Sequence, residues 1–105
     1  MEIKDSKFYR DKCYINGEWV NAVSGETISV NNPANLKEIG TVPKCGTSET
    51  RNAIEAANNA WPEWRAKSAR QRSEILRKWF DLMIENKEEL AQIMTVEQGK
   101  PINES

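Results

Sequence analysis

The sequence contains no histidine. That removes the commonest general base at neutral pH, and with it any Ser-His-Asp triad or Cys-His dyad built within these residues. Cysteine is scarce. Cys13 and Cys45 lie far apart along the chain in no partner motif, too few ligands for a zinc site. A disulfide between them is disfavoured in a reducing compartment. None of Gly17, Gly25, Gly40, Gly46 and Gly99 builds a G-x-G-x-x-G or a P-loop, so no phosphate cradle is visible. No apolar run approaches the length of a membrane span. The opening MEIKDSKFYRDKC alternates charges where a secretory leader needs an apolar stretch, so the cytoplasm is expected and no membrane partner. The net charge of −1 leaves no overall pull toward nucleic acid.

What is present is a chain of 105 residues, one domain or part of one, with a hydrophobic share of 38% that predicts a thin core. It divides into three stretches. Residues 1–12 read as a flexible polar arm. Residues 13–46 read as a β-hairpin and short strands, and residues 47–105 as a helical segment. Asn16-Gly17 between apolar flanks in YINGEWV signals a tight hairpin, because both residues tolerate the positive φ of a type I′ turn. A turn follows at Ser24–Glu26. Thr27–Val30 and Glu38–Val42 alternate as strands around the loop NNPAN, where Pro33 holds Asn32 extended.

From Thr47 the apolar period changes to that of a helix. Thr47 or Ser48 is the expected cap, Ile54, Ala57, Trp61 and Trp64 share a stripe, and Pro62 predicts a break near Trp61. Ser68 with Gln71 has the spacing of a capping box, in which hydroxyl and amide each satisfy an end donor. Ile75, Leu76, Trp79, Phe80 and Met83 then cover an arc of roughly 140°, wide enough to face a core. Asn86 with Glu89 has the same box-like spacing before the stripe Leu90, Ile93, Met94. Gly99 suits a C-cap and Pro101 prevents continuation.

The residues with chemical potential are few. Cys45 precedes a helix start, where a thiol can be activated, but with no histidine to serve it the loop reading is favoured. The basic run Arg65, Lys67, Arg70, Arg72, Arg77, Lys78 is interrupted by Glu74 and followed by Glu85, Glu88 and Glu89, so it reads as a solvated face and not a nucleic-acid surface. Three of the four tryptophans, Trp61, Trp64 and Trp79, lie on apolar helical stripes and are expected to pack in a core. The carboxylates are dispersed, with no pair placed for acid–base work.

Taken in order, YINGEWV, ISVNNPANLKEIGTVPKCGTSET, AIEAANNAWPEWRA and RSEILRKWFDLMIENKEELAQIMTVEQGKP resemble the opening of an NAD(P)-dependent aldehyde dehydrogenase, nearest its succinate-semialdehyde branch. The likeness runs from about Phe8 to the end. It implies an α/β enzyme fold, represented here by an N-terminal α+β part of short strands followed by two to four helices that lead toward a cofactor-binding sheet. It also implies oxidation of an aldehyde to an acid by a cysteine thiolate, with hydride passing to NAD or NADP. In that family the cysteine, the activating glutamate, the oxyanion-stabilising asparagine and the cofactor contacts all fall beyond this stretch. No catalytic or cofactor residue is therefore assigned, and no cofactor is expected to bind these residues tightly. By resemblance, the carbonyls of Val30 and Asn31 with the carboxylate of Glu97 are expected to belong to a monovalent-cation site.

The sequence thus reads as the front of a longer enzyme, a truncated or split gene product or a cloned fragment, inactive alone. The other reading is a free-standing interaction or oligomerisation module of the same descent. In both, apolar helix faces that later strands would cover are expected to stay exposed and to drive self-association or docking with the remainder of a dehydrogenase.

Overall fold

The computed structural model describes residues 2–105. A 3-10 turn at Ile3–Asp5 leads to strands β1 (Cys13–Ile15), β2 (Glu18–Val20), β3 (Thr27–Asn31) and β4 (Glu38–Pro43). Three helices follow, α1 (Thr47–Ala66), α2 (Ala69–Glu85) and α3 (Lys87–Gln98), then a 3-10 turn at Ile102–Glu104. The strands form two separate antiparallel pairs, β1 with β2 and β3 with β4.

The hairpin turn forms as its chemistry requires. Asn16 and Gly17 take φ of 52° and 80°, both left-handed, and set Tyr14 opposite Trp19. Their rings meet at a centroid distance of 5.0 Å. In the second pair the register breaks between Val30 and Asn31: Val30 faces Gly40 and Asn31 faces Glu38, so Ile39 is the extra residue of a bulge.

The helix ends depart from the expected pattern in three places. Gly46, not Thr47 or Ser48, caps α1, and the Glu49 carboxylate accepts its backbone N–H at 2.9 Å. Pro62 does not break α1, which continues to Ala66. Only one turn lies beyond it, and Asn58, whose carbonyl loses its donor, is exposed. Asn86 does not cap α3 with its side chain; its Nδ2 donates to the Leu82 carbonyl at 2.8 Å and closes α2 instead. With a single residue between the two helices, that amide is used at the earlier end. Ser68 and Gln71 do exchange both bonds of a capping box, and Gly99 closes α3 at φ 83°.

The polar arm is docked where a free one was expected. Ile3 is 3% exposed, held against β4 and α3, and the Ser6 hydroxyl donates to Glu89 at 2.6 Å. Its one aliphatic residue, Ile3, provides the anchor. Tyr9 lies so close over Gly40 that a Cβ there would collide with its hydroxyl.

The expected tryptophan core does not form. Trp61 and Trp79 are 50% and 61% exposed and Trp64 is only half-buried; Trp19 on the hairpin is 47% exposed. Helix α1 instead turns small residues, Ala53 and Ala56, toward the hairpin, leaving Ile54 exposed. No residue of α2 or α3 is buried. The radius of gyration is 16.7 Å, against about 13 Å for a compact chain of this length. The accessible surface is 8319 Å², about 2,300 Å² above the roughly 6,000 Å² of a compact monomer of this mass.

Candidate functional site

Three features carry the chemistry, each set by a junction between elements. The first is Glu49, 6% exposed at the start of α1. Its carboxylate accepts the backbone N–H of Gly46 and, from the loop after β2, that of Val23. These bonds, with Val23 first, hold its pKa below the ordinary 4.5. The carboxylate thereby ties the loop after β2 to the N-cap of α1. Sequence reading passed over Glu49; its signal was a glutamate three residues after Gly46, the spacing of a capping box.

The second is the cysteine pair. Far apart in sequence, Cys13 and Cys45 come together with their sulfurs 3.7 Å apart, both half-buried and both free thiols. Cys13 opens β1 and Cys45 immediately precedes Gly46. Burial pushes the Cys45 thiol above its ordinary 9.0, reinforced by the hydrogen bond and charge of Cys13 and by the Glu49 carboxylate. A thiol so shifted is the opposite of an activated nucleophile, which fits the loop reading of Cys45.

The third is where the expected cation ligands lie. Val30 and Asn31 straddle the register break at the end of β3, and Glu97 sits exposed in the last turn of α3. The two segments meet at Pro33 and Gly99, where a Cβ on Gly99 would stand 2.9 Å from Pro33 Cγ. The carbonyl end of α3 adds partial negative charge there. No cluster of three or more His, Cys, Asp or Glu side chains suited to a metal occurs among the described residues. A site here would rest on the Val30 and Asn31 carbonyls and the Glu97 carboxylate, oxygen ligands of the class a hard monovalent ion takes.

Two of the six basic residues pair along α2. Arg70 meets Glu74 at 3.3 Å and Arg77 meets Asp81 at 3.4 Å, both well exposed. Arg77 also lies over the Phe80 ring at 4.9 Å. Beside it Ile75, Leu76, Trp79, Phe80 and Met83 form one continuous exposed apolar face. No helix among the described residues is long and apolar enough to cross a membrane.

Comparison with known proteins places this arrangement. The aldehyde dehydrogenase family model matches residues 19–105. The chain belongs to the aldehyde dehydrogenase family. It is 58% identical over its whole length to glutarate-semialdehyde dehydrogenase of Pseudomonas putida. It is 53% identical, again end to end, to the NADP(+) succinate-semialdehyde dehydrogenase of Escherichia coli. It spans about 22% of the length of each of these relatives. Among solved structures, succinate-semialdehyde dehydrogenase from Burkholderia pseudomallei superposes with a TM-score of 0.91 at 52% identity, covering 96% of this chain and 21% of that one. An E. coli NADP-dependent enzyme superposes equally well, at 0.91 and 55% identity over 95% of this chain and 21% of that one. The two strand pairs and three helices are thus the N-terminal part of the aldehyde dehydrogenase fold.

Proposed function

We propose that these residues are the opening segment of an NAD- or NADP-dependent, cytoplasmic semialdehyde dehydrogenase that converts glutarate or succinate semialdehyde to the corresponding diacid. The observation that carries this reading is the end-to-end match to enzymes of those two substrates at 58% and 53% identity. The reaction needs a thiolate to attack the aldehyde, a nicotinamide to take the hydride and a base to activate water. Cys45 has its thiol held protonated, and the first turn of α1 already holds Glu49. On this reading the chemistry and the tight grip on cofactor lie in the remainder of the enzyme.

A nicotinamide absorbance assay with both semialdehydes tests this. The 105 residues alone are expected to give no turnover. Turnover is expected once the rest of the P. putida relative, lacking its own first segment, is added as a second chain. Turnover by the 105 residues alone, host enzyme excluded, overturns the placement of the chemistry. A complex that forms by sedimentation yet oxidises neither semialdehyde overturns the substrate reading.

The exposed α2 face favours a second reading, a free-standing module that self-associates or docks on a full-length dehydrogenase. Capture of such an enzyme by the purified chain, lost on charging the α2 face, supports it; no capture refutes it.

The Val30 and Asn31 carbonyls with Glu97 are proposed to supply part of a monovalent-cation site. Potassium should raise the thermal midpoint relative to tetramethylammonium at equal ionic strength, and Glu97→Gln should abolish the difference. Equal midpoints in the two salts would remove the site.

A further inference from the structure

We propose that Cys13 and Cys45 are a modification site: a dithiol that closes to an intramolecular disulfide in the presence of a low-molecular-weight disulfide of the glutathione class, stapling the β1–β2 hairpin to the N-terminus of α1. The argument is geometric. The sulfurs are 3.7 Å apart although the residues are 32 positions apart in sequence. Closing the bond requires an approach of under 2 Å toward the usual length of about 2.05 Å. Both thiols are half-buried, so neither is sealed from a small reagent. Few other contacts join these parts. The hairpin forms its own two-stranded pair, apart from β3–β4. It meets the helical layer at the alanine face of α1 and, through the loop after β2, at Glu49.

The step balances as a thiol–disulfide exchange. One cysteine loses its proton to solvent and its thiolate attacks a sulfur of the small disulfide. That S–S bond breaks, one small thiolate leaves and takes up a proton, and a mixed disulfide forms on the protein. The second cysteine, deprotonated in turn, attacks the protein-side sulfur and expels the second small thiol. The two protein thiols lose two electrons and two protons; the small disulfide gains both and becomes two thiols. Closure constrains a loop of 32 positions, long enough for a cross-link to stabilise the fold against its unfolded ensemble.

The test is a redox titration of the full 105-residue chain in mixtures of reduced and oxidised glutathione, quenched by alkylation and read by peptide mass. The expected product is a monomer in which the Cys13 and Cys45 peptides are linked. The link should form at a reduced-to-oxidised ratio at least ~10-fold more reducing than in concentrated urea, because the fold raises the effective concentration of one thiol at the other. The oxidised chain should also melt several degrees higher than the reduced chain. Cys13→Ser and Cys45→Ser should each stop at the mixed disulfide, with circular dichroism showing the helices intact. Equal closure in native buffer and urea, covalent dimers as the main product, stable mixed disulfides on the unaltered chain, or an unchanged melting temperature would each overturn the proposal.

Discussion

The front of this molecule and helix α2 solve the same problem in opposite ways. Between Ile3 and Glu49 polar and apolar groups are matched across sequence-distant segments. Ile3 is set on β4 and α3, Ser6 on Glu89, and the amide of Val23 on Glu49. Every buried side chain of the described residues lies in that stretch. Helix α2 has the stronger amphipathic pattern and a complete capping box, yet nothing along it is buried. Its ends are satisfied locally while its apolar face is not. The contrast shows that a helix's local signals and its packing signal are separable. Capping chemistry closes within the helix, whereas a stripe of Ile75, Leu76, Trp79, Phe80 and Met83 specifies a surface that must be supplied from elsewhere. The surplus of about 2,300 Å² over a compact monomer is large enough for an obligate interface.

That comparison breaks most visibly at the α2 face, where the largest effect is expected. The unaltered chain should bind a hydrophobic dye strongly, and its sedimentation coefficient should rise with concentration. The pair Leu76→Gln and Trp79→Gln should cut the dye signal several-fold and leave a single slow species, since both residues are half or more exposed and removing them vacates no core. Ile3→Gln should act in the other sense, raising dye binding by freeing the docked arm. A chain that stays monomeric at all concentrations and binds no dye would contradict the description of α2 as an uncovered interface.

Much of the architecture was legible in the residues, because the signals concerned were local. Asn16-Gly17 encodes a left-handed pair, Ser68 with Gln71 encodes two reciprocal bonds, and Gly99 encodes a left-handed cap; each formed as written. The departures are of two kinds: local competition at helix ends, as at Gly46, Pro62 and Asn86, and places where a distant partner decides. Asn86 and Glu89 have box-like spacing, but Leu82 and Ser6 take their side chains. Cys13 and Cys45 carry no motif, and only the packing of the hairpin beside the start of α1 makes them neighbours. Trp61 and Trp79 have core periodicity but no core to enter. Pattern states what a residue needs and is silent on whether these residues contain it. The family resemblance was legible because it lay in ordered signatures spread along the chain. Two of the three proposed cation ligands, Val30 and Asn31, would act through backbone carbonyls, which any residue type supplies, so only Glu97 carries a side-chain signal.

A smaller effect at Glu49 sharpens the comparison from the packed side. Its pKa is depressed chiefly by the Val23 N–H and next by that of Gly46. A depressed carboxylate contributes stability that is present above its unfolded value, near pH 4.5, and is lost as pH falls through the folded value. The nearby Cys45 thiol, shifted upward, stays neutral through this range and adds no opposing change. Glu49→Gln keeps the shape but must turn an N–H2 toward one of two backbone donors that both need an acceptor. Its thermal midpoint should fall by a few degrees at pH 7, with faster amide exchange at Val23 and Gly46. The gap from the unaltered chain should narrow steadily as the buffer is taken below pH 4, because protonation leaves the native carboxyl with the same deficit. The α2 amides, which share no bond with this carboxylate, should exchange at unchanged rates. A gap that stayed constant from pH 7 to pH 3 would mean that packing, and not the charge on Glu49, joins the loop after β2 to α1.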